Sequence, residues 1–177
     1  MSRSWNACAR VSVCACHGVV MAVRDDYLLR YLVLIRQAIA QALKLREAGQ
    51  TDHALRVLLQ AQEKLFARPL ASFATLTVDE QLALLASGEN EETAREKRIA
   101  YASLLREAGL NYEARDRADL ALSAYQLGLH VLLTVIVETN NNSDETLQLA
   151  RDLLARIPPE MLHAPVKELL SAAGKVW

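Results

Sequence analysis

The stretch LLREAGLNYEARDRADLALSAYQLGL, Leu104 to Leu129, decides how this chain folds. Small residues stand at Gly109, Ala121 and Gly128, and aromatic ones at Tyr112 and Tyr125. The apolar positions on either side recur every three to four residues, which is the period of a helix and not of a strand. Glycine at a helix contact lets two helices approach closely, and a neighbouring tyrosine fills the space beside it.

The pattern continues in both directions. Upstream, Glu89 to Glu92 open a helix that runs to about Ala108, with Ile99, Ala102, Leu104, Leu105 and Ala108 on its buried side. Glu91 and Arg95 stand four apart in the favourable order and mark its exposed face. Downstream, Leu120 to Val137 reads LALSAYQLGLHVLLTVIV and carries no formal charge. It reaches the length of a membrane span. Ser123, Tyr125, Gln126, His130 and Thr134 interrupt it, and its flanks are charged, so it reads as a buried central helix.

Further out, Asp25 to Ala48 forms a helix with Leu28, Tyr31, Leu32, Ile35, Ile39, Ala42 and Leu43 on one face, stopped by Gly49. Asp52 is expected to cap a second helix over roughly Asp52 to Ala67, ended by Pro69. The linker Pro69 to Leu76 is apolar but irregular and is expected to pack down. Thr77-Val78-Asp79-Glu80 has the form of a capping box and opens a short helix closed by Gly88. Beyond Asn140-Asn141-Asn142, Ser143 or Asp144 caps a helix that Pro158-Pro159 breaks. A last helix, bent at Pro165, runs through Leu170. The expectation is an all-α chain of about seven helices, arranged as stacked antiparallel pairs.

Composition agrees. A hydrophobic share of 52% against 23% charged residues is a globular balance, and with only 5% aromatics the core must be built from Leu and Ala. The net charge of −1 gives no sign of the basic face that nucleic acid requires. All three cysteines, Cys8, Cys14 and Cys16, lie near the N-terminus, which is no disulfide framework and fits a reducing, cytoplasmic setting. Residues 1–20 contain no acid and no helical period. A signal peptide fits poorly there, and Cys-x-Cys-His lacks zinc-finger spacing. The expected organisation is therefore a disordered or mis-assigned leader over 1–20, with translation beginning at Met21, and one helical domain over 21–177.

An internal repeat is visible. Gly49, Asp52, Ala54, Leu58 and Ala61 correspond to Asp116, Asp119, Ala121, Tyr125 and Gly128, an offset of 67 residues from Ala54 to Ala121. That is close to two units of about 34 residues. Leu105, Gly109, Tyr112, Ala121, Tyr125 and Gly128 stand at the packing positions of a tetratricopeptide repeat, and the segment Leu104 to Leu129 resembles one. The family's turn glycine is replaced by Asp116, its terminal proline is absent, and the unit between, about Pro69 to Tyr101, does not match. The resemblance covers about half the chain.

It implies a superhelix of helix pairs whose first helices line a concave groove. The groove residues it points to are Arg36, Ile39, Leu43 and Arg46 in the first copy, and Arg106, Leu110 and Glu113 in the later one. Mixed Arg and aliphatic side chains suit a helical or extended peptide with an acidic feature. Leu110 replaces an asparagine that carboxylate-gripping members of the family use.

No metal, nucleotide or hydrolase motif occurs, and no cofactor is expected. His53 and His163 are expected to be solvated. His130 lies on the apolar helix with no acid or nucleophile one turn away. The reading is a non-catalytic adaptor for a protein or peptide partner, with no nucleic acid and no membrane. A homo-oligomeric structural protein, or a small-molecule sensor with a pocket beside His130 and Tyr125, are its rivals.

Overall fold

The computed structural model describes residues 15–139 and 143–174, with side chains from residue 28 onward. All described regular structure is helical. In chain order it comprises α1 (Ala15–Glu47), α2 (Thr51–Phe66), α3 (Leu70–Phe73), α4 (Val78–Ala86), α5 (Glu91–Glu113), α6 (Ala118–Thr139), α7 (Asp144–Ala155) and α8 (Ala164–Ala173), with a 3-10 turn at Pro159–Met161. The element beyond the expected seven is α3, a single turn inside the Pro69 to Leu76 linker. The helix α1 begins at Ala15, inside the segment set apart in the sequence, while residues 1–14 lie outside the described ones. By contact the chain divides into two units, Met1–Tyr31 and Leu32–Trp177. The first holds the N-terminal part of α1. The second holds the remainder of α1 and all of α2 to α8.

Within the second unit, the repeat appears first in the turns. At the end of α1, Gln50 N donates to Leu45 O (2.7 Å) and Gly49 N to Arg46 O (2.9 Å). At the end of α5, Arg117 N donates to Tyr112 O and Asp116 N to Glu113 O, both 3.0 Å. These are the same Schellman closure, displaced by the repeat offset. The left-handed residue is Gly49 at φ 73° in one and Asp116 at φ 58° in the other. Aspartate is one of the few L-residues that tolerates this conformation, so the departure from glycine leaves the turn intact. The next helix starts one residue after each turn, at Thr51 and Ala118. Asp52 is thus not the cap of α2. The N-cap is Gln50, and Asp52 sits in the first turn, where its charge favours the helix dipole.

Other helix ends follow local chemistry. Thr77 and Glu80 form the expected capping box, and Ser143, not Asp144, caps α7 by accepting from Thr146 N. Asn90 caps α5 through Thr93 N, and α5 continues past Ala108 to Glu113. Pro165 lies in the first turn of α8 and does not bend it, because a first-turn residue needs no backbone N–H.

Packing corrects the spacing argument. Although the offset matches two units of 34, no unit stands between the copies, because α2 packs directly on α5. The stretch from Pro69 to Asn90 is an excursion that returns α4 onto α5, α6 and α2. Phe73 anchors it, stacked on Phe66 at 4.1 Å, while Tyr101 meets Phe66 edge-on at 4.9 Å. Tyr101 donates to Gln81 Oε1 (2.8 Å), and Gln81 Nε2 donates to Leu76 O (3.0 Å), so the buried polar groups are matched.

The central helix is α6, packed against α4, α5, α7 and α8. Among the described residues it is the one helix long and apolar enough to span a membrane, and most of that surface is buried inside the fold. Ser123, Gln126 and Thr134 among its polar interruptions have hydrogen-bond partners. Gln126 Nε2 donates to Met161 O (2.9 Å) and its Oε1 accepts from His163 N (3.1 Å), tying α6 to the start of α8. The tightest approach is to α5. A Cβ on Gly109 would lie 2.7 Å from Tyr125 Cδ1 and Cζ, and one on Gly128 would meet Leu153 Cδ1 at 3.3 Å. The first-copy counterparts of Gly109 and Tyr125 are Ala42 and Leu58, both fully buried.

A methyl group at position 109 is therefore expected to destabilise. Although Ala exceeds Gly in helix propensity by about 1 kcal/mol, the overlap with Tyr125 is expected to cost about 1–3 kcal/mol. Urea unfolding of Gly109→Ala should show a lower midpoint, and G109A/Y125L, which reproduces the first-copy pair, should recover part of the loss.

Half-buried His130 supplies a pH dependence. Burial holds its pKa below the ordinary value of 6.5, against an opposing pull from Asp79. Below that value the unfolded chain takes up a proton that the folded chain resists, so stability is present above it and lost as pH falls. His130→Gln should flatten that part of the stability-against-pH curve measured by thermal unfolding.

Candidate functional site

The helices α1, α5 and α7 run side by side in the same direction. Residues of α1 from Leu32 to Ile39, of α5 from Glu96 to Ser103, and Ser143, Glu145 and Thr146 at the start of α7 line one cavity of about 130 Å³. Further along, Arg46 of α1, Arg106 and Glu107 of α5, and Asp152 of α7 meet.

The second meeting point is a chain of alternating charges. Glu107 is 5% exposed, so its carboxylate needs partners. Arg46 Nη1 donates to its Oε2 (3.0 Å), and Arg106 Nη1 donates to its Oε1. Arg106 Nε donates to Asp152 Oδ2, and Asp152 Oδ1 lies 3.5 Å from Arg156 Nε. Arg156 Nη1 continues to Glu113 Oε2 (3.4 Å), and its guanidinium lies 5.6 Å over the Tyr125 ring. Burial works against the charge of Arg106, but Asp152 and Glu107 outweigh it and raise its pKa. Burial pushes the Tyr125 phenol up, and the Glu113 carboxylate adds to that while Arg156 opposes it.

The residues singled out in the sequence fall into three groups. Arg36 and Ile39 line the cavity. Arg46, Arg106 and Glu113 belong to the charge chain, where protein groups already occupy the two arginines. Leu43 is exposed on α1, and Leu110 is half-buried on α5. Glu107, Asp152 and Arg156 were not anticipated. The signal for Glu107 was an acid among Leu104, Leu105 and Ala108 on a buried stripe, and the signal for Asp152 and Arg156 was their spacing of four.

His53 and His163 are exposed. The ring of Tyr125 is occupied from one side by Gly109 and from another by Arg156, which leaves it a packing role. Among the described residues no group of three His, Cys, Asp or Glu side chains is placed to hold a metal. The side chains of Cys8, Cys14, Cys16 and His17 lie outside those described.

No family model, curated protein or solved structure matches this chain.

The charge chain leads to a stability prediction. Glu107→Ala strands two arginines and is expected to cost about 1–3 kcal/mol, below the range for a fully buried pair because both arginine heads reach solvent. The double variant R46M/E107M, read by urea unfolding, should cost less than the sum of its two single changes.

Proposed function

We propose that this chain is a non-catalytic protein-interaction module, in a reducing cytoplasmic setting, whose helix pairs stack as a tetratricopeptide-like superhelix. Three packing facts support the stacking: α2 lies on α5, α6 lies on α7 and α8, and the first helices of the pairs lie side by side. The observation that carries the reading is the cavity between α1, α5 and α7. It joins aliphatic side chains to exposed charges on the face where a repeat array would receive a peptide.

Arg46 and Arg106 serve this reading less well than Arg36, since Glu107 and Asp152 neutralise them. Reversing them would disturb folding and binding together. Arg36→Glu with Ile39→Ser is the cleaner probe. Crosslinked partners recovered with the wild-type chain should be lost with R36E/I39S, while the thermal midpoint stays within about 2 °C, the effect expected of surface changes. Retained partners would count against this face.

A homo-oligomer is the second reading, favoured by the outer side of α1. Val33 is 47% exposed, Leu34 49% and Leu43 39%. Light scattering separates the two. A concentration-independent monomer supports the module, and a stable dimer that Leu34→Glu dissociates supports self-association.

A further inference from the structure

The charges around the α1/α5/α7 cavity narrow the kind of peptide it suits. Its floor joins aliphatic side chains, Ile35 buried and Leu32, Ile39 and Ile99 half-buried, to the hydroxyls of Ser103, Ser143 and Thr146. Two exposed charged side chains flank that floor, Arg36 from α1 and Glu145 from the first turn of α7. They line one cavity but do not pair with each other, and neither has an ion-pair partner among the described residues. The remaining charged lining residue, Glu96, is already held by Arg95 at 3.1 Å. Opposite charges that do not pair with each other stay hydrated until an occupant supplies a counter-charge to each.

Size narrows the occupant further. A volume of about 130 Å³ falls below the roughly 300–1,000 Å³ of small-molecule pockets. It has room for one large side chain and not for a helix. The neighbouring arginines offer no competing anchor, since Glu107 and Asp152 already satisfy them.

We propose that this cavity takes one large apolar side chain of a partner peptide, flanked on that peptide by an acidic residue facing Arg36 and a basic residue facing Glu145. The inference rests on the interaction-module reading and adds the chemistry of the partner.

The test is selection from a random peptide library displayed on phage, panned on the full-length chain beside a control peptide-binding module. Enriched sequences should place Leu, Ile, Met or Phe between an acid and a base. For the strongest clone, made as a synthetic peptide, Arg36→Glu and Glu145→Lys should each weaken binding by about fivefold. A peptide with its acid and base exchanged should bind R36E/E145K better than it binds the wild type. Both side chains are exposed, so the fold is not at stake. Enriched peptides that lack the charged pair, or that bind these variants unchanged, overturn this inference and leave the module reading standing. If the control yields clones and this chain yields none, both fall.

Discussion

The contact between Gly109 and Tyr125 sets the distance between α5 and α6, and the rest of the second unit is arranged around that distance. With no Cβ at 109, the tyrosine ring lies against the backbone of α5, while a Cβ at Gly128 would meet α7 at 3.3 Å and α5 at 3.5 Å, a looser fit. Held this near, α5 and α6 form a two-helix slab. On one side α2 packs against α5, and on the other α7 and α8 pack against α6. A larger residue at either glycine would push the slab apart along its length, because packed helices do not compress.

Running across this apolar framework is a polar one. Glu107 is buried on α5 and held from both sides by arginines, one from α1 and one from its own helix. Such pairs add little net stability over an apolar substitute, yet breaking them is costly, so they act mainly against misalignment. Sliding α1 or α7 by one turn relative to α5 would cost Glu107 its bond from Arg46 or Asp152 its bond from Arg106, leaving each carboxylate only the arginine of its own helix. That ties the charge chain to the alignment of α1, α5 and α7, and the arginines it uses are already occupied by carboxylates.

Arg36 and Glu145, which hold no ion pair among the described residues, line the cavity further along the same helices, beside aliphatic and hydroxyl side chains. One face thus carries a closed polar network at one end and an open, charge-separated cavity at the other. The two lie about three helical turns apart on α1, at Arg46 and at Arg36.

The sequence by itself determined seven of the helices and some of their ends. Helical periods, the Thr77–Glu80 box and the stop at Gly49 rest on interactions within a few residues, which a linear reading captures. It also marked Gly109, Ala121 and Gly128 as packing positions, because small residues at helical spacing have few other uses. Two of the cavity's lining residues, Arg36 and Ile39, are among those the resemblance points to. Only the tertiary structure decided that α2 meets α5 directly across the excursion from Pro69 to Asn90. It alone decided that Arg46 belongs to Glu107, 61 positions away, and Arg106 to Asp152, 46 positions away. The physical reason is that an arginine on a helix looks the same in sequence whether water or a buried carboxylate receives it. The choice is made by which helix arrives alongside, and that depends on the packing of the whole core.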